Sequence, residues 1–322
     1  MPKDMLDKLL RPLKADIQNV EAIFQNILSE MEEPLRSMLK TSLRGGKRLR
    51  PALVILAGRL FKTPRLKVHL LAAALEVLHS ATLIHDDLVD NATLRRGRKT
   101  IHTVWPIGAT VLAGDYLLAQ SVCLLAQLKN PGVLKILAET LHTMSAGEIE
   151  YHYSLKNRKR REVYFRSINA KTASLFAGAM EMVGLLSHVE KNTVINLRNF
   201  GHEFGIAFQV VDDVLDLIGD EKSLGKPALS DLEGGIITLP VICYLERGND
   251  DRIINKILAG KGNPKDSIRA TEMIRKSGAI EDALTEARAH ARKSKVALAH
   301  LPSGKYRQLL YDLVDYVVDR QH

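Results

Sequence analysis

Apolar residues recur at helical spacing over most of the chain. Leu6, Leu9, Leu10, Leu13, Ile17, Val20, Phe24, Ile27 and Leu28 are mostly three or four apart, the pattern of an amphipathic helix. Pro12 divides a short leader from the helix proper, and Pro34 fits the first turn of a second helix, which Gly45-Gly46 ends. From Pro51 to Asn91 the pattern is nearly all helix, with Ala72, Ala73 and Ala74 small enough for close packing. Asn91 to Thr100 is polar and basic, hence a loop. Helices over Val111–Leu128 and Val133–Tyr151 are separated by Asn130-Pro131-Gly132, and a further helix holds Lys171-Thr172. Residues 196–217 make another helix, 223–238 a glycine-rich loop, and the remainder amphipathic helix broken around Gly260 to Pro264. Strand-type alternation is nearly absent. The pattern predicts an all-α fold of roughly a dozen helices. It forms a single domain over 1–322, a helical bundle around a deep central cavity.

Two stretches of this pattern repeat one another. Leu83-Ile84-His85-Asp86-Asp87-Leu88-Val89-Asp90 and Phe208-Gln209-Val210-Val211-Asp212-Asp213-Val214-Leu215-Asp216 are apolar apart from carboxylates and a few polar groups. On a helix Asp86 and Asp90 share a face with Asp87 beside them, and Asp212, Asp213 and Asp216 repeat the arrangement. A lone Asp pair is usually a solvated face. Carboxylates crowded on two apolar helices instead ask for a cation, and an all-oxygen set suits Mg²⁺ shared with substrate phosphates.

The 322 residues carry a net charge of +9, which favours an anionic partner. Basic residues cluster at Lys47-Arg48-Leu49-Arg50, at Arg95-Arg96-Gly97-Arg98-Lys99 and from Lys156 to Arg161. The aromatic 5% does not interleave with them, so no base-stacking platform for nucleic acid is indicated. Neither a GxxxxGK[ST] loop nor a GxGxxG turn is present, which argues against a nucleotide. Charges interrupt the longest apolar runs, so no membrane span is expected; the charged N-terminus and the two isolated cysteines, Cys123 and Cys243, suggest a cytoplasmic protein. A metal-rich basic mouth above an apolar wall including Val77, Leu78, Ala81 and Thr82 suits an isoprenoid diphosphate.

Taken together and in order, Gly46-Lys47-Arg48-Leu49-Arg50-Pro51, Asp86-Asp87-Leu88-Val89-Asp90 with Arg95-Arg96-Gly97, Lys171-Thr172, Phe208-Gln209 with Asp212-Asp213-Asp216, and Gly225-Lys226-Pro227 resemble the trans-type polyprenyl diphosphate synthases. The resemblance runs from Gly45 to about Pro240. It implies the all-α isoprenoid synthase fold, a homodimer, and condensation of isopentenyl diphosphate with an allylic diphosphate. Asp86, Asp90 and Asp212 would bind Mg²⁺, with Asp87, Asp213 and Asp216 as further ligands or their supports. Arg95, Lys171 and Lys226 would hold the allylic diphosphate; Lys47, Arg50, His79 and Arg96 would hold that of isopentenyl diphosphate. Thr172 and Gln209 would line the region where positive charge develops. The departing diphosphate would take the proton, since no protein base is obvious.

Without these motifs His79 would read as a core histidine and Lys47 and Arg50 as a solvated helix end. His85 reads as structural, Glu148 and Glu150 as supports or exposed acids, and residues 156–161 as a solvated loop open to membrane contact during product release. One departure stands out: many relatives carry a second lysine where this chain has Ile236. Thr82, one turn before Asp86, and Ala81 beside it are small and leave the channel open toward Leu78 and Ala74. A product longer than C15 is therefore expected. A geranylgeranyl diphosphate synthase and a partner-dependent or non-catalytic subunit of a heteromeric synthase remain as alternatives. A terpene cyclase would leave Lys47, Arg50 and Arg96 without a task.

Overall fold

The computed structural model describes residues 2–40, 48–95, 97–153, 161–218, 232 and 236–320. It is built almost wholly of helices. In order these are α1 (Pro2–Leu10), a 3-10 turn around Pro12, α2 (Lys14–Glu30), α3 (Leu35–Leu39), α4 (Leu49–Leu60) and α5 (Arg65–Val89). Then come α6 (Ile107–Ala126), α7 (Pro131–Tyr153), α8 (Arg161–Ile168), α9 (Ser174–Leu186) and α10 (Lys191–Ile218). The chain continues through α11 (Leu239–Glu246), α12 (Arg252–Leu258), α13 (Pro264–Lys276), α14 (Ala279–Ala299) and α15 (Lys305–Asp319).

Two features differ from the sequence expectation. The basic stretch after Asn91 is no plain loop: Leu94–Arg95 (β1) and Arg98–Lys99 (β2) pair antiparallel, Arg95 opposite Arg98, with Gly97 at φ 72° in the turn. Strands of two residues are too short to show alternation. Lys171 and Thr172 lie in a five-residue π-helical segment, Asn169–Ala173, between α8 and α9 rather than in regular helix.

α5 is the central helix. It lacks Gly and Pro, is rich in the strong helix formers Leu and Ala, and from Leu71 to Leu78 its apolar side chains are at most 1% exposed. A helix apolar all round must be surrounded. α6, α4, α2 and α9 pack against it, and α9 in turn meets α10 at Phe204, whose ring stands 5.3 Å from that of Phe176 and 6.0 Å from that of Phe200. Each such buried ring contributes about 1.5–3 kcal/mol. A second apolar core lies between the C-terminal half of α10 and α11–α14.

By length and composition, α5 and α6 are apolar enough to cross a membrane, against the expectation that charges interrupt the longest apolar runs. The single Asp115 does little to lower the hydropathy of α6. The apolar window of α5 is 72% buried, as suits a core helix; that of α6 is 39% buried and leaves Ile107, Leu112 and Val122 exposed.

Candidate active site

Both aspartate clusters sit at the C-terminal ends of long helices. Asp86 and Asp87 occupy the last turn of α5 and Asp90 its C-cap; Asp212, Asp213 and Asp216 lie in the last two turns of α10. The helix dipole already makes these ends negative, and neither helix has a basic residue in its last turn. The carboxylates deepen that potential, so cations must come from elsewhere.

A cavity of about 750 Å³ lies between the two ends, with Asp86 and Asp212 both in its wall. Lys171 Nζ stands 3.5 Å from Asp86 and 3.2 Å from Glu148. Burial pushes Asp86 up to about 6, Glu148 and Asp90 adding to it, while Lys171 and Arg95 oppose. Burial alone would lower Lys171, but Asp86, Glu148 and Asp90 outweigh it and raise the amine to about 12. Asp212 is met by Arg320 at 2.9 Å. That guanidinium also donates to the Phe208 carbonyl at 2.9 Å and lies 4.3 Å from the Phe208 ring centre.

The other four aspartates are placed differently. Asp90 stands near Asp86, with His152 Nε2 at 3.9 Å. Asp87 is buried and accepts from Arg95 Nε at 2.6 Å, which fastens the β1–β2 hairpin to α5. Asp213 is buried and accepts from the Tyr164 hydroxyl at 2.6 Å and from the Gln209 amide at 2.8 Å. Asp216 is buried as well. Asp87 and Asp213 thus hold side chains in place, whereas Asp86 and Asp212 face the cavity.

Thr172 donates to Gln209 Oε1 at 2.7 Å, extending the Tyr164–Asp213–Gln209 chain into the wall. The π segment carrying Lys171 and Thr172 is fixed by close packing. A Cβ on Gly147 of α7 would fall 2.2 Å from Ala170 Cβ, and one on Gly205 of α10 would fall 2.7 Å from Ala173 Cα. Asn169 Oδ1 lies 2.7 Å from His202 Nε2.

At the other end Arg50, His79 and Thr82 line the cavity, together with Arg48 and Glu76. Lys47, Arg96 and Lys226 lie outside the described residues. Among the proposed chain-length positions only Thr82 is in the wall; Ala81 and Leu78 are buried in the core and absent from it. The reason is angular. At 100° per residue Ala81 lies about 140° around α5 from Asp86, and Leu78 about 80° away, whereas Thr82 is within about 40°. Glu148 belongs to the site, but Glu150 pairs at the surface with Arg166 at 3.2 Å. Ile236 lines a separate pocket of about 150 Å³ beside Lys171, Thr172 and Asp213.

A sequence model described as polyprenyl synthetase matches residues 32–274. The chain belongs to the polyprenyl synthetase family. As a member of it, the chain is a trans-prenyltransferase. It is 36% identical to the heptaprenyl diphosphate synthase component 2 of Geobacillus stearothermophilus, over 96% of this chain and 97% of that one. Identity to the octaprenyl diphosphate synthase of Haemophilus influenzae is 32%, covering 100% and 98%. A polyprenyl synthase from Caulobacter crescentus, solved with calcium and isoprenyl diphosphate, superposes with a TM-score of 0.92 at 33% identity, covering 98% of each chain.

Polyprenyl synthetases work with a divalent metal. The donors fit one: they are hard oxygens, Asp86 is held against its own ionisation, and each wall aspartate is faced by a protein cation. Among the described residues no three acidic, His or Cys side chains form a complete cage.

Sequence reasoning missed Arg320, Tyr164 and Glu76, and gave Arg48 no task of its own. Arg320 lies 108 residues from Asp212 and carries no local pattern. Glu76 could have been found, since it stands three residues before His79 on the same helix.

Proposed function

We propose that this polyprenyl synthetase adds isopentenyl diphosphate head to tail to an allylic diphosphate with Mg²⁺, making a product longer than C15. The observation that carries the reading is the convergence of two carboxylate-bearing helix ends on one cavity that also holds Lys171, Arg95, Arg50 and His79. Its lining also includes apolar Leu83, Met144, Leu175 and Phe208. The heptaprenyl and octaprenyl relatives and the small Thr82 in the wall support the long product.

Asp86, Asp90 and Asp212 would hold the metal, which when bound neutralises the diphosphate and favours its departure. Lys171, Arg320 and Arg95, all in the cavity wall, would supply the positive charge that faces the diphosphate, the guanidinium groups as bidentate donors. The Thr172 hydroxyl oxygen and Gln209 carbonyl oxygen face the developing allylic cation, with the Phe208 ring beside them. Arg50 and His79 hold the second diphosphate so that the isopentenyl double bond meets the cation, and the apolar wall keeps water from it.

The chain works as a homodimer in this reading. Ile107 and Leu112 are 64% and 68% exposed on α6, and Ile149 on α7 is 61% exposed, an apolar surface that a second copy would cover. The Geobacillus relative is a component 2, so a different subunit is the alternative cover. The reducing cytoplasm suits two free cysteines, one exposed.

The test is incubation of the purified chain alone with Mg²⁺, farnesyl diphosphate and excess radiolabelled isopentenyl diphosphate, with product sizing and light scattering. Products beyond C15 from a dimer are expected. Arrest at C15 would refute the long product, and turnover only after adding a second subunit would refute the homodimer.

A further inference from the structure

Arg48 is the one described non-glycine residue with positive φ that begins a helix. The other four, Lys62, Asn91, Lys129 and His188, each follow a helix C-terminus, where the left-handed conformation is a common way to stop. Arg48 instead occupies the N-cap of α4 with φ 50° and ψ 33°. N-caps ordinarily take extended backbone and a small polar residue. An arginine held left-handed there is strained, and such strain persists only where surrounding contacts over-determine it.

Those contacts are present. Arg48 is 9% exposed; its Nε donates to Glu21 at 2.6 Å, its Nη1 to Glu76 at 2.8 Å, and its guanidinium carbon lies 4.9 Å from the Phe24 ring centre. Glu21 and Phe24 belong to α2, and Glu76 lines the cavity from α5. α2 is itself latched one turn earlier, where buried Asp16 accepts from Arg59 of α4 at 2.6 Å and lies 2.8 Å from His69 of α5. The clamp therefore fixes the entry to α4, and two residues on is Arg50, in the cavity wall and 4.9 Å from the Phe176 ring centre.

We propose that Glu21 is a positioning residue for the isopentenyl diphosphate subsite, acting through Arg48. Two carboxylates occupy the Arg48 guanidinium, so its charge is committed to setting the left-handed turn that aims Arg50 beside His79. The inference rests on the assignment of Arg50 and His79 to that diphosphate. It brings α2, which precedes the matched segment 32–274, into the machinery of the site.

The test is a double-mutant cycle of Glu21→Gln and Arg48→Ala, with Arg50→Ala as reference and both substrates varied in turn at saturating Mg²⁺. Glu21→Gln should raise the KM for isopentenyl diphosphate about three- to tenfold, less than a fully buried charge-assisted contact would cost, because the Glu21 side chain is 38% exposed and the amide oxygen still accepts from Arg48. It should leave kcat and the allylic KM within about twofold and add less than about twofold in the Arg48→Ala background. An unchanged isopentenyl KM, equal rises for both substrates, or full additivity would overturn the proposal. An unchanged KM in Arg50→Ala would instead overturn the subsite assignment beneath it. Should Arg48→Ala not fold, Arg48→Gly, which accepts positive φ without strain, takes its place.

Discussion

Asp86→Asn is expected to make the metal-free protein more stable while abolishing turnover. Burial, with Glu148 and Asp90 behind it, lifts Asp86 from 3.8 to about 6 despite Lys171 3.5 Å away. In the unfolded chain the group ionises near its ordinary value. Between about pH 4 and 6 the folded state therefore holds a proton that the unfolded state has lost, so stability falls as pH rises through that window and stays low above it. A shift of about two units corresponds to at most about 3 kcal/mol, and solvent at the partly open carboxylate trims this toward 1–2. Asparagine removes the charge and keeps the shape. At pH 8 in EDTA it should raise Tm by about 2–4 °C, taking roughly 2 °C per kcal/mol for a chain of this size. The gain should shrink to nothing near pH 4. Mg²⁺ with a diphosphate analogue should then stabilise wild type by mass action and leave the variant unmoved. Scanning calorimetry of both proteins at pH 4, 6 and 8 decides it. If Asp86→Asn melts at or below wild type at pH 8, the contact to Lys171 outweighs desolvation and the reasoning fails.

Gly147→Ala should lower kcat about a hundredfold, since a methyl placed 2.2 Å from Ala170 must shift the π segment; steady-state kinetics with a melting control separate this from unfolding. Thr82→Phe should shorten the product by capping the wall, whereas Ala81→Phe should overpack the core and cost about 1–3 kcal/mol with product length unchanged, as read by product sizing and denaturant melts. Arg320→Gln should tighten divalent-cation binding to the substrate-free protein by releasing Asp212, and lower kcat/KM about tenfold, measured by calorimetric titration and by turnover.

The all-α fold and the two aspartate clusters were legible because helical periodicity is a local property, and because carboxylates inside apolar runs have few structural uses. The roles within each cluster were less so. Whether an aspartate faces the cavity or fastens a neighbour depends on who stands opposite, and Tyr164 and Arg95 approach Asp213 and Asp87 from other elements. Asn-Ala-Lys-Thr-Ala reads as ordinary helix; Gly147 and Gly205, distant in sequence, are packed against the π turn. The misplacement of Ala81 was avoidable, since a count of 100° per residue from Asp86 turns it out of the wall. The uncovered side of α6 shows in sequence only as high hydropathy, which a core helix shares.

A π turn is a helical turn with one residue too many. Lys171 and Thr172 both line the cavity from it. The surplus residue also offsets the phase of α9 from that of α8. Substitutions in 169–173 change one side chain at a time. Deleting a single residue there would instead let the helix run straight and turn everything from Ser174 onward relative to α8 by the angle of one residue. Length, more than composition, is what this stretch has to keep.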